Sequence, residues 1–144
     1  VMHGDFCLSN ILYNSRAQRI CVIDPRGYVP DTGPIVFGDI RYDLAKLWHS
    51  LGGLYDLIIA GHYLLGEKDS HDFTLSFPVN PQHDWVRQDF FRLLPQGISP
   101  RDIEYLTVLL FVSMLPLHAD RPDRQKAFIA NAGRLYLAMK DASP

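Results

Sequence analysis

The sequence has little of what would commit it to a membrane, a polyanion or an oxidising compartment. No apolar run among its 144 residues reaches the length of a bilayer-spanning helix. No charged start followed by an apolar centre opens the chain as a secretory signal would. No membrane span is therefore expected, and the cytoplasm is the expected location. Basic residues number 14 against 16 acidic ones, and the formal net charge of −2 comes without a basic run. That excludes the electrostatic footprint of nucleic-acid binding and leaves a small-molecule substrate as the better fit. The 2 cysteines, Cys7 and Cys21, make no disulfide framework. They could face each other across a hairpin, but packing is their simpler role. Nor does the composition suggest disorder, since 47% of the residues are hydrophobic and the length suits one domain with a real core.

What is present is concentrated near the start. His3-Gly4-Asp5-Phe6-Cys7-Leu8-Ser9-Asn10 puts an Asp and an Asn on one tight loop, and Ile23-Asp24 closes a following apolar strand with a second Asp. Three oxygen ligands of graded charge suit Mg²⁺ and a hydroxyl nucleophile. Phosphoryl transfer needs positioning, metal neutralisation of phosphate charge, and a carboxylate to accept the hydroxyl proton. Asp5 suits the proton, and Asn10 and Asp24 suit the metal. Ile11-Leu12-Tyr13 and Ile20-Cys21-Val22-Ile23, separated by the polar Asn14-Ser15-Arg16, read as a β-hairpin. Pairing of the two strands would bring Asn10 and Asp24 together at its open end. The Asp5-to-Asn10 spacing equals that of the protein-kinase signature H-R-D-L-x-x-x-N, with Gly4 in place of the Arg.

At three places, His3-Gly4-Asp5 through Asn10, Val22-Ile23-Asp24, and Gly38-Asp39-Ile40-Arg41-Tyr42-Asp43-Leu44-Ala45, the chain resembles the aminoglycoside phosphotransferase and choline kinase family. The resemblance is close over residues 1 to about 50, and the Asp24-Pro25-Arg26-Gly27 variant looks most like bacterial members associated with capsule or surface-polysaccharide genes. It implies Asp5 as the catalytic base, Asn10 and Asp24 as Mg²⁺ ligands, ATP as phosphoryl donor, and His3 and Asp43 as braces of the loop. It also implies an α+β, mainly helical fold in which residues 1–144 form the catalytic and substrate-binding C-terminal lobe of a protein-kinase-like phosphotransferase, with a β-hairpin carrying the active site. The acceptor would be a hydroxyl of a sugar-like compound, an amino alcohol or an aminoglycoside. No G-x-G-x-x-G loop and no strand lysine of the V-A-I-K type occurs, so the N-terminal nucleotide-binding lobe is expected outside this chain or from a partner, and the fragment alone is expected to be inactive. A non-catalytic kinase-like binding or regulatory module is the alternative. A metal-dependent phosphatase is a further rival, which lacks its D-x-D motif here.

The remaining chain reads as support. Residues 25–38, with three prolines and three glycines, predict an irregular loop beside the site. Its one cation, Arg26, suits a phosphate or an acidic neighbour such as Asp24, and equally a solvated position. Asp39 predicts the cap of a helix with Leu44, Leu47, Trp48 and Leu51 on one face, with His49 packed or at the surface. A short helix over Leu54 to Ala60 follows, then a hairpin of residues 62–66 and 72–77 across a turn from Glu67 to His71. Asn80-Pro81 and Ser99-Pro100 each predict a helix start. The second of these helices, apolar nearly all round from Leu106 to Leu115, is expected to be buried. A last helix from about Pro122 should turn Phe128, Ile129, Leu135 and Leu137 to the core, and residues 141–144 should fray. Between these two helices, His118 and Asp120 are candidate substrate contacts, Asp120 serving equally as a helix cap.

Overall fold

Three pairs of short antiparallel strands and five helices make up the residues that the computed structural model describes, 1–29, 33–69, 72–78 and 84–141. The fold is α+β. A single 3-10 turn, Leu8–Asn10, leads into strand β1, Ile11–Asn14, which pairs with β2, Arg19–Val22, in the register Ile11 to Val22 and Asn14 to Arg19. The hairpin turns where the polar cluster predicts it: the Asn14 side chain accepts from the Ala17 N–H, and Gln18 takes the left-handed conformation with φ 51°.

The segment read as an irregular loop contains a minimal ladder, β3, Tyr28–Val29, against β4, Gly33–Pro34. Proline and glycine do not forbid this, because a two-residue strand at an edge asks few donors of its residues. Asp39 caps helix α1, Ile40–Leu51, its carboxylate accepting from the Arg41 N–H. Helix α2, Tyr55–Ile59, follows, and then β5, Leu64–Asp69, pairs with β6, Asp72–Ser76. Glu67 and Lys68, read as part of the turn, belong to the strand instead. Its register shifts between Glu67 and Asp69, and Lys126 of the last helix holds Glu67 at 2.6 Å.

Helix α3, Asp84–Arg92, begins just after residues 79–83, so the Asn80-Pro81 start lies outside the described residues. Ser99 caps α4, Pro100–Ser113, with proline at the first position, and Pro116 opens a single 3-10 turn before α5, Pro122–Asp141. Of residues 141–144, read as fraying, Asp141 instead closes α5, and 142–144 lie outside the described residues.

Helix α4 packs between α1 and α5. On one side Ala45, Trp48, Ile103 and Leu110 form a buried cluster, with Phe90 stacked on Trp48 at 4.8 Å. On the other, Phe111, Phe128, Ala127, Ala132 and Ile58 form a second cluster. The apolar run of α4 is nevertheless not covered all round: Leu109 is 61% and Val112 49% exposed. Ile129 and Leu137 are likewise exposed, contrary to the core positions read for them. They line an open groove of about 820 Å³ between α5 and β6.

His49 is wholly buried, its ring 4.0 Å from that of Phe111 and 4.5 Å from that of Tyr55, with neither ring nitrogen hydrogen-bonded. Burial, aided by the charge of Lys46, lowers its pKa to about 3. Between that value and the unfolded 6.5, the unfolded chain binds the proton that the folded chain refuses, so stability falls as pH falls through this window. Urea unfolding at about pH 7 and about pH 5 should show a drop in stability that is about 2 kcal/mol smaller in His49→Phe than in the wild type. An unchanged pH dependence in that variant would mean the imidazole is not held neutral.

Candidate functional site

The loop from His3 to Asn10 is shaped by one face of α1. Asp43, buried in the first turns of the helix, accepts the His3 N–H at 2.6 Å and the Gly4 N–H at 2.8 Å through its two oxygens. One helical turn further, the Lys46 ammonium reaches Asp5 Oδ1 at 2.8 Å, and a further turn on, Ser50 Oγ accepts the Leu8 N–H at 3.3 Å. Residues three and four apart lie on one helical face, so Asp43, Lys46 and Ser50 form a single line of attachment.

Gly4 is the pivot. Its φ is +79°, and a Cβ there would stand 2.1 Å from the carbonyl oxygen of Arg26. Only glycine combines that conformation with that approach. On its other flank the loop is tied to the chain beyond β2. The Arg26 N–H donates to the His3 carbonyl at 2.7 Å, and His3 Nε2 lies 3.0 Å from the Ile23 carbonyl. His3 Nδ1 accepts from the Asp5 N–H at 3.3 Å, so the ring fits the tautomer with hydrogen on Nε2, donating to Ile23. His3 thus spans the distance between Asp5 and the end of β2.

Asn10 and Asp24 flank the open end of the hairpin: the Ile23 N–H donates to the Asn10 carbonyl at 3.0 Å, next to Asp24 in sequence. Asn10 Nδ2 donates to the Asp5 carbonyl at 2.9 Å, which leaves its Oδ1 for another partner. Asp24 is exposed, with φ +56°. Among the described residues no group of three or more His, Cys, Asp or Glu converges as a metal site. A carboxylate and an amide oxygen still fit Mg²⁺, which keeps several waters and takes phosphate oxygens for the rest of its shell.

Asp5 is where the sequence reading needs most amendment. Its carboxylate is nearly buried and carries two cations, Lys46 on Oδ1 at 2.8 Å and Arg26 on Oδ2 at 3.3 Å. Arg26 therefore pairs with Asp5, not with Asp24. Lys46 was missed altogether, although its side chain is only 9% exposed. The signal available was its spacing from Asp43 on the polar side of α1. A buried lysine so paired is costly to strip of its partner, by about 3–5 kcal/mol.

The other candidates lie elsewhere. His118 packs edge-on against Phe128 at 5.0 Å, with Nδ1 3.3 Å from Arg124, which also donates to the Ile59 carbonyl at 3.0 Å. Partial burial, then the Arg124 charge, lowers its pKa. Asp120 is exposed beside it. The contacts of His118 are with α5, and none joins it to the loop. Cys7 is buried with Sγ 3.2 Å from Ser9 Oγ, while Cys21 is exposed, and both thiols are free. Among the described residues no helix is long and apolar enough to cross a membrane.

Comparison of the chain with family models, with curated proteins and with solved structures returns no match.

Proposed function

We propose that this chain is the catalytic and substrate-binding lobe of a protein-kinase-like phosphotransferase that moves the γ-phosphoryl of ATP to a hydroxyl of a small molecule. One observation carries the reading. Asp5 and Asn10 share a loop clamped by Asp43, and that loop is tied through His3 and Ile23 to the strand end that bears Asp24. Asp5 takes the proton of the acceptor hydroxyl, whose oxygen bonds to the γ-phosphorus as the bond to the bridging oxygen breaks and ADP leaves. Asn10 and Asp24 would hold Mg²⁺, which would supply neutralising charge to the phosphate oxygens. Sugar-like acceptors come first, as for a capsule-polysaccharide enzyme, with amino alcohols and aminoglycosides behind them, in a cytoplasmic setting.

The reading requires a nucleotide-binding lobe in addition to residues 1–144. Support for one comes from the hairpin, where Leu12, Tyr13, Ile20, Val22 and Ile23 are exposed, as are Ile35, Val36 and Phe37 nearby. Apolar surface so grouped is ordinarily covered by another body. The alternative, a non-catalytic kinase-like module, draws on the engagement of both Asp5 oxygens by cations.

Titration of MgATP against the full-length protein tests the metal site, and phosphoryl transfer separates the two readings. Asp24→Ala should weaken Mg²⁺-dependent binding more than Asn10→Ala, by about tenfold or more, because a charged ligand loses Coulomb attraction as well as a donor. Metal dependence unchanged in both variants would remove the metal site from the reading.

A further inference from the structure

Of the two cations on Asp5, one is free to leave and the other is not. Arg26 sits on a loop with its side chain 66% exposed, so water competes for its contact with Oδ2. Lys46 is 9% exposed and rises from the same face of α1 that anchors His3, Gly4 and Leu8. Little water reaches its ammonium to compete for Oδ1.

Stability alone does not account for such a lysine. A buried ion pair is commonly no better than an apolar pair of the same shape. A carboxylate that must accept a proton has a different requirement, since one of its oxygens has to point a lone pair at the hydroxyl in a fixed direction. An Asp held by its backbone alone is free to rotate about its terminal bond. Tying Oδ1 from beneath stops that rotation and leaves Oδ2 facing the exposed side, where Arg26 now lies.

We propose that Lys46 is a positioning residue, which holds Oδ1 of Asp5 so that Oδ2 alone meets the acceptor, whose hydroxyl displaces Arg26. This rests on the reading of Asp5 as base and adds to it a residue outside the loop and the hairpin. Lys46 touches neither acceptor nor nucleotide and acts through Asp5.

The test is MgATP turnover by the full-length protein, with water as acceptor and phosphate release as the signal. Lys46→Met should lower kcat by about 10- to 100-fold with KM for MgATP within about threefold, the mark of lost positioning without lost binding. Lys46→Arg should recover most of the loss. Lys126→Met, which breaks only the surface pair with Glu67, should leave kcat unchanged. The decisive comparison adds Lys46→Met to Asp5→Asn, because the double variant removes both members of the buried pair and strands neither charge. There Lys46→Met should change the residual turnover by no more than about twofold.

A kcat for Lys46→Met near wild type, with Asp5→Asn inactive, overturns the positioning role and leaves the base reading standing. A further tenfold fall on adding Lys46→Met to Asp5→Asn also overturns it, because Lys46 would then act by another route. Near-normal turnover in Asp5→Asn overturns the base and this proposal together.

Discussion

Asp5→Asn in the full-length protein should lower phosphoryl transfer by about 10²- to 10⁴-fold while leaving MgATP affinity within a few-fold. The asparagine keeps the volume of the side chain and retains an oxygen for Lys46 at the position where Oδ1 now lies 2.8 Å away. It cannot take a proton from a hydroxyl, so the deficit belongs to the transfer step. In the proposed reading, ground-state binding rests instead on Asn10, Asp24 and the nucleotide lobe. A kcat close to wild type would strip Asp5 of its role, and with it the main chemical ground for reading a kinase here.

The second large effect is on stability. Gly4→Ala should destabilise the fold by about 3–5 kcal/mol, since its methyl group meets a backbone carbonyl that no side-chain rotation can move aside. The carbonyl belongs to Arg26, whose own N–H donates to His3, so the clash falls on the bond that closes the loop. Gly97 is the control. Its φ is +86° but nothing stands within 4 Å of a built Cβ, so Gly97→Ala should cost about 1 kcal/mol, the conformational part alone. Urea denaturation of the two variants gives the difference. Equal losses would show that the approach to Arg26 relaxes freely.

The residues of the candidate site were legible because their types are unusual for a structural loop: a glycine between a histidine and an aspartate, an asparagine at fixed spacing, and an aspartate closing an apolar strand. The cap of α1 by Asp39 and that of α4 by Ser99 were legible for a local reason, since each needs only the residues beside it. Lys46 was hidden by the rule that serves amphipathic helices best, that the polar face meets water. In α1 the polar face meets the loop, so Asp43, Lys46 and Ser50 are all buried beside the apolar Ala45 and Trp48. Pattern also cannot tell an apolar face that is covered from one that borders a groove, which is why Ile129 and Leu137 were placed in the core. The ladder of β3 and β4 was missed because its pairing is a matter of tertiary proximity, too short to leave a period.

The loop has its helical partners 39 to 42 residues further along the chain. A chain emerging from its N-terminal end therefore displays His3 to Asn10 long before α1 exists to receive them. Closing a span of that length costs entropy that four polar contacts offset only in part, so the loop should take its final shape together with the docking of α1 on α4. Residues 3–10 are thus made before the helix that shapes them, and a partly folded form with α1 undocked holds no finished site.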